Sequence, residues 1–291
     1  MVNQDLFYLN FNMIYFFKIL RPFNLLIISV CILLSALILD KLTIFILPLL
    51  GLVLLLAGFA NIVNDIIDYK IDQTNRPDRP IASGAISIKI AIIYALLLLL
   101  FAFTLILYYP FNPVTIKLIF YINLPLILIY TPFLKRVPLL GNIAVAFILS
   151  MVFIITAIYL NGDLNVIMPP ATLAFFLMLI REIIKDIADI EGDKQFNINT
   201  FPVKFGINQS FILIVCISII LSLLSFYYYY SNLYDLQYLV IVTILIICPL
   251  FYHLYHFYKN KTSTYCIYLS KVLKLLTVCG VIVIYLANLF R

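Results

Sequence analysis

Apolar residues run along this chain in blocks of about twenty, the length that carries a helix across a bilayer, with short polar connections between them. Nine blocks are read, at 22–39, 42–64, 88–109, 114–130, 139–160, 166–184, 207–230, 236–258 and 265–290. The pattern predicts an all-α polytopic membrane protein of nine transmembrane helices, with the whole chain, 1–291, forming one integral-membrane domain. Residues 7–20 are apolar and aromatic with Lys18 near their end, which predicts an interfacial helix before the first span. No short apolar stretch near the start is followed by a small-residue cleavage pattern, so no signal peptide is expected.

Charge fixes the orientation. Lys18 and Arg21 precede the first span, and Lys70, Arg76, Arg79 and Lys89 follow the second. Lys135 and Arg136 follow the fourth, Lys185, Lys194 and Lys204 the sixth, and Lys259 and Lys261 the eighth. The remaining connections are nearly free of Lys and Arg, apart from Lys41 and Lys117. The positive-inside rule then puts the N-terminus in the cytoplasm and the C-terminus outside, in a cell membrane. The composition, 65% hydrophobic and 11% charged, agrees, since a soluble domain carries about 25% charged residues. The net charge of +6 belongs to cytoplasmic loops and implies no nucleic acid. Five cysteines without metal-type spacing read as small apolar residues, and His253 with His256 as interfacial ones.

Two acidic clusters interrupt this apolar background. The second span leads into Asn61, Asp65, Asp68 and Asp72; Glu182, Asp186, Asp189 and Asp193 repeat the same i, i+4, i+7, i+11 spacing 121 positions later, at the end of the sixth. On a helix these positions fall within about 60° of the circumference. Such carboxylate faces repel themselves and are costly to desolvate beside a membrane, so they persist when cations sit on them. Ile62 aligns with Ile183 and Ile66 with Ile187, an internal repeat. The two units are four spans apart and therefore parallel, which predicts clusters facing each other across a bundle. Gly192 is expected to fray the second helix before Asp193.

Facing carboxylate stripes suit Mg²⁺ shared with a diphosphate. A membrane substrate with an allylic diphosphate head fits such a site: the metal stabilises the leaving diphosphate, and an apolar bundle keeps the resulting cation from water. The loop after the first cluster reads N-R-P-D-R-P at 75–80, a rigid cap whose Arg76 and Arg79 supply forked donors to phosphate oxygens. Residues 131–142 form a second basic connection, and Lys185 beside Asp186 is placed to reach a carboxylate or a phosphate.

These segments resemble the UbiA-type superfamily of intramembrane prenyltransferases over essentially the full length. The resemblance rests on R-P-F-N at 21–24, N-D-I-I-D-Y-K-I-D at 64–72, the N-R-P-D-R-P-I-A-S-G run, L-K-R-V-P-L-L-G-N at 134–142, R-E-I-I-K-D-I-A-D-I-E-G-D at 181–193 and T-F-P-V-K-F-G at 200–206. It implies nine helices around a central cavity with a cytoplasmic cap, and Mg²⁺ held at Asn64 and Asp68 and at Asp189 and Asp193. Asp65, Asp72 and Asp186 belong to the same motifs as ligands or close support; Asp68, Asp72, Asp189 and Asp193 form the catalytic set. The helical stripe favours Asn61 where the family pattern favours Asn64, so Asn61 is kept as a cavity-lining residue. The substrate-binding set is Arg21, Asn24, Asn61, Arg76, Arg79, Lys135, Arg136, Lys185 and Lys204, with Arg21, Lys135, Arg136 and Lys204 for an acceptor phosphate.

The motifs most resemble the archaeal ether-lipid branch. That branch transfers a geranylgeranyl group from geranylgeranyl diphosphate to the hydroxyl of geranylgeranylglyceryl phosphate, forming the second ether bond of the lipid core. The implied partners are a prenyl diphosphate, a lipid-like acceptor and membrane lipids, with no protein partner. An aromatic acceptor, as in quinone or tocopherol synthesis, is the alternative. A divalent-cation transporter is a remote one, since it expects carboxylates near mid-membrane and these lie at span ends. Alcohol phosphatidyltransfer expects D-G-x-x-A-R, which neither cluster contains.

Overall fold

The computed structural model describes residues 13–289. The helix expected over 7–20 is seen as α1, Met13–Ile19; residues 7–12 lie outside the described residues. A 50° bend joins α1 to α2, Pro22–Ile38. Pro22 starts the new helix, because its fixed φ suits a first turn and its missing N–H is not needed there.

The other helices are α3 (Leu47–Ile67), α4 (Tyr69–Asn75), α5 (Ile88–Tyr108), α6 (Pro113–Tyr130), α7 (Leu140–Tyr159), α8 (Leu164–Ala188), α9 (Ile190–Gln195), α10 (Phe201–Tyr230), α11 (Leu236–Lys259) and α12 (Ser263–Leu289). Eight of the described helices are long and apolar enough to cross a bilayer: α3, α5, α6, α7, α8, α10, α11 and α12. With 17 residues, α2 reaches that length only together with α1, so the first predicted span is one arm of a bent pair. The predicted start of the seventh span at 207 matches a break inside α10, where Gly206 has φ 84°. The end of the ninth, at 290, lies outside the described residues.

The most buried span is α8, with 72% of its most apolar window enclosed against 11% for α6, which makes α8 the central post. It packs on α7, α10 and α12. Ala144, Ala146 and Ala157 are buried on α7, and small residues at a helix interface let backbones approach closely. Leu177, Ile180, Ile183 and Ile184 of α8 share a core with Leu273 and Ile284 of α12.

The internal repeat is visible in the backbone. A π-helical turn spans Ile119–Asn123 in α6 and another Thr243–Ile247 in α11. Each is followed closely by a proline, Pro125 and Pro249, whose ring blocks the regular i→i−4 bond and widens the preceding turn. The acidic helices break at equivalent places as well. Asp68 (φ −85°, ψ 4°) separates α3 from α4, and Asp189 (φ −96°, ψ 7°) separates α8 from α9. Each cluster is therefore two helical pieces meeting at an aspartate, where the sequence spacing reads as one unbroken stripe. Gly192 does not fray its helix: it lies within α9, and a methyl group there would collide with the Asn75 side chain of α4. The glycine permits the two acidic caps to touch.

Candidate active site

A cavity of about 570 Å³ opens among α2, α3, α6, α7, α8 and α12, within the range of lipid- and cofactor-sized pockets. Its wall along α3 and α4 changes character step by step: Val53, Leu56 and Ala60 are apolar, Asn61 and Asn64 are neutral polar, and Asp65, Asp68 and Asp72 are acidic. From Val53 to Asp65 the helix rises about 18 Å, so the charged mouth stands over a deep apolar chamber. Phe23, Tyr130 and Phe153 are the aromatic residues among the described lining.

The charged mouth is a lattice of ion pairs. Asp65, Asp68, Asp72 and Asp193 are buried, and buried carboxylates need partners. The Arg21 guanidinium donates to Asp65 at 2.5 Å; Arg79 Nη1 bridges Asp65 at 3.1 Å and Asp72 at 2.5 Å. Lys135 donates to Asp68 at 2.6 Å. Arg76, from the first cap, donates to Asp189 of the second cluster at 2.7 Å, and Asn75 donates to the Asp189 carbonyl at 3.4 Å. The two clusters therefore meet, joined by Arg76 on one side and by Lys135, which also feels the charges of Asp193 and Asp186, on the other. Asp186 accepts from the Asn142 amide at 2.7 Å and Asp193 from the Thr200 hydroxyl at 3.4 Å.

The electrostatics follow from burial and pairing. Burial lifts the Asp193 carboxyl to about 6 against the pull of Lys135, with Asp189 adding to the rise. Burial also raises Asp72, even with Arg79 opposing it. For Lys135 and Arg79 burial works against the charge, but the neighbouring aspartates outweigh it and hold both above their ordinary values.

Backbone geometry sets two of these cations. Arg21 sits in the left-handed region, φ 55°, at the α1–α2 corner, strain that the ion pair to Asp65 helps maintain. Lys135 lies on a tight turn, Leu134–Arg136, packed on α7 at Gly141. A Cβ on Gly141 would stand 3.0 Å from both the Leu134 carbonyl oxygen and Lys135 Cα.

Of the residues the sequence singles out, the cavity gathers Arg21, Asn24, Asn61, Asn64, Asp65, Asp68, Asp72, Arg76, Arg79, Lys135, Lys185, Asp186 and Asp189. Asp193 stands just behind, against Thr200. Asn61 donates to the Leu20 carbonyl at 3.0 Å and holds the α1–α2 bend, while Asn64 accepts from Thr131 at 3.0 Å. Arg136 and Lys204 are exposed and are not among the lining residues. Sequence reasoning passed over Tyr130, Thr131, Arg181 and Lys274, which line the cavity, and the supporting roles of Asn142 and Thr200. A lysine and an arginine inside apolar spans were the available signal for two of them.

The donor set tests the metal expectation. It offers only oxygen ligands, carboxylates and an amide, the chemistry that suits Mg²⁺. Among the described residues no three acidic or other metal-type side chains converge on one point. That also fits, because Mg²⁺ is usually bound through one or two carboxylates plus substrate phosphate and not by an all-protein cage.

A helical membrane protein with a basic-capped, doubly acidic cavity is the class these features define. The UbiA prenyltransferase family model matches residues 24–286, and the chain belongs to that family. It is a multi-pass membrane prenyltransferase. Digeranylgeranylglyceryl phosphate synthase of Methanosphaera stadtmanae is 35% identical over 239 residues, covering 79% of this chain and 83% of that protein. The protein of the same name from Methanobrevibacter smithii is 34% identical over 80% of this chain and 84% of its own length. A solved structure of a digeranylgeranylglyceryl phosphate synthase superposes with TM-score 0.71 at 24% identity, covering 96% and 99% of the two chains. A UbiA homolog from Archaeoglobus fulgidus bound to GPP and Mg²⁺ superposes with TM-score 0.68 at 17% identity, covering 93% and 99%.

Proposed function

We propose that this prenyltransferase moves a geranylgeranyl group from its diphosphate to the free hydroxyl of geranylgeranylglyceryl phosphate, making the second ether bond of an archaeal lipid. The observation that carries the reading is the likeness over about four-fifths of the chain to relatives bearing that activity's name. The cavity supports it, with an ionic mouth above an apolar chamber suited to isoprenoid tails. The whole chain acts as one unit, its N-terminus and ionic cap cytoplasmic and its C-terminus outside.

Asn64, Asp68, Asp189 and Asp193 would hold Mg²⁺, with Asp65, Asp72 and Asp186 in support. When bound, the metal offsets charge on the departing diphosphate. Arg21, Arg76, Arg79 and Lys135 hold the carboxylates in register and have spare donors for phosphate oxygens. The apolar lining below them excludes water while the allylic C–O bond opens, and the Tyr130 and Phe153 rings offer faces to positive charge. The acceptor oxygen attacks that carbon, and its proton leaves to solvent or diphosphate.

Purified protein given geranylgeranyl diphosphate and Mg²⁺ is expected to convert geranylgeranylglyceryl phosphate to a diether, detected by mass, and to stop on adding EDTA. Product only with 4-hydroxybenzoate or homogentisate would overturn the acceptor. Gly141→Ala is expected to displace Lys135 and raise the KM for the prenyl diphosphate several-fold, with the KM for the acceptor nearly unchanged in the same steady-state assay.

A further inference from the structure

The proposed reaction brings together two anionic lipids, and the ionic mouth accounts for only the diphosphate. Arg21 and Lys135, expected from sequence to meet an acceptor phosphate, pair with Asp65 and Asp68 of the first acidic cluster, so their spare donors face the diphosphate site, while Arg136 and Lys204 stand outside the cavity lining. A different set of cations lines the wall where α8 faces α12 and α2: Arg181, Lys185 and Lys274. We propose that Lys185 and Lys274 form the pocket for the phosphomonoester of the acceptor, with Arg181 and Asn24 as positioning residues. The proposal rests on the ether-lipid reading above.

Three observations carry it. First, Lys274 lies eleven residues inside α12, about 16 Å along the helix from its start at Ser263. Ser263 donates to the Ala188 carbonyl, so that start lies beside the acidic cap, and Lys274 is deep within an apolar span. An ammonium at that depth is costly and marks a functional position. Second, the donors are incompletely used. Lys274 donates to Asn24 Oδ1 at 2.6 Å and lies over the Phe23 ring at 5.6 Å; Lys185 donates to Glu182 at 2.6 Å. Each ammonium has three donors and makes one hydrogen bond among the described residues, which leaves two on each for a ligand. Arg181, by contrast, is tied to Glu182 at 2.6 Å and to the Ser270 carbonyl at 3.3 Å, bracing α8 on α12.

Third, charge changes along α8 toward the cap. On this wall Arg181 and Lys185 share the carboxylate of Glu182, and Lys274 has no carboxylate partner among the described residues, which leaves an excess of positive charge. A phosphomonoester carries roughly −1.5 to −2 at neutral pH and matches that excess without a metal. Toward the cap, Asp186 near the end of α8 and Asp193 in α9 accept hydrogen bonds from neutral donors among the described residues, Asn142 and Thr200, so the cap end attracts cations. A diphosphate is suited to the acidic cap end through Mg²⁺ and a phosphomonoester to the basic wall directly. The two head groups are thereby sorted, and the acceptor is fixed in one orientation against the donor.

The test is equilibrium binding of radiolabelled geranylgeranylglyceryl phosphate, and of geranylgeranylglycerol without the phosphate, to the full-length protein in detergent. Wild type is expected to prefer the phosphorylated lipid at least about tenfold, the worth of one good charge-assisted contact. Lys274→Met and Lys185→Met should each remove that preference and leave binding of geranylgeranyl diphosphate with Mg²⁺ within about twofold, and Lys274→Arg should restore it. Should Lys274→Met not fold, Lys185→Met and Asn24→Ala carry the same expectation. Equal affinity of wild type for the two lipids, or variants that lose the diphosphate and keep the acceptor, would overturn the pocket. Phosphate-dependent binding with no ether product would support the pocket and overturn the transfer reading instead.

Discussion

Asp68→Ala and Asp189→Ala are each expected to lower turnover on the order of a thousandfold, the scale on which removal of one preorganised electrostatic group acts, while leaving the helical bundle intact. These two aspartates occupy the equivalent breaks of the repeat, between α3 and α4 and between α8 and α9. At each break the carboxylate meets a cation from another element, Asp68 with Lys135 and Asp189 with Arg76. Their loss should be tolerated structurally. Lys135, unpaired by Asp68→Ala, still lies in the field of Asp193 and Asp186. Arg76, released from Asp189, is about one-third exposed and reaches water. Circular dichroism and melting close to wild type, with product formation nearly absent, is the expected pair of results. Well-folded variants with substantial turnover would remove both residues from the chemistry.

The largest stability effect is expected at Arg79. Its Nη1 alone joins Asp65 and Asp72, both buried. Arg79→Ala leaves Asp65 with Arg21 and leaves Asp72 without an ionic partner among the described residues. Breaking a buried ion pair from one side costs about 3 kcal/mol. Burial already raises Asp72 with Arg79 in place, so in the variant it rises further and escapes part of the penalty by protonation. The sign is definite: an acid whose folded value lies above its unfolded one loses stability as pH rises between the two. The melting-temperature deficit of Arg79→Ala should therefore be larger at pH 8 than at pH 5, and Asp72→Asn in the same background should recover much of it. A deficit independent of pH and unaffected by Asp72→Asn would contradict this pairing.

Much of this was legible in the chain because bilayers impose long apolar runs and make charged residues conspicuous. The two acidic clusters, their repeat and the basic loops are all read from spacing, and the structure brings them to one cavity mouth. The breaks at Asp68 and Asp189 were not readable, because i, i+4, i+7 spacing is satisfied by one straight helix and by two short ones with a single non-helical residue between. Gly192 was misread for a related reason: its meaning is tertiary, the approach of Asn75, and no local pattern encodes it. Lys274 is one of two lysines in an apolar run, with Lys271, and lies 250 residues from its partner Asn24; only folding shows that they meet. The first span lies where its apolar run puts it, at Pro22–Ile38, but the 50° turn between it and α1 is set by packing and leaves no mark in the apolar pattern.

One measurement goes straight to the joint acidic site. The protein would be crystallised with Mn²⁺ and a thio analogue of geranylgeranyl diphosphate that does not ionise, and anomalous scattering would locate the metal. Manganese is expected between the two caps, shared by the diphosphate with Asn64 and Asp68 on one side and Asp189 and Asp193 on the other. A diphosphate gripped only by arginines and lysines, or metal confined to one cluster, would contradict it.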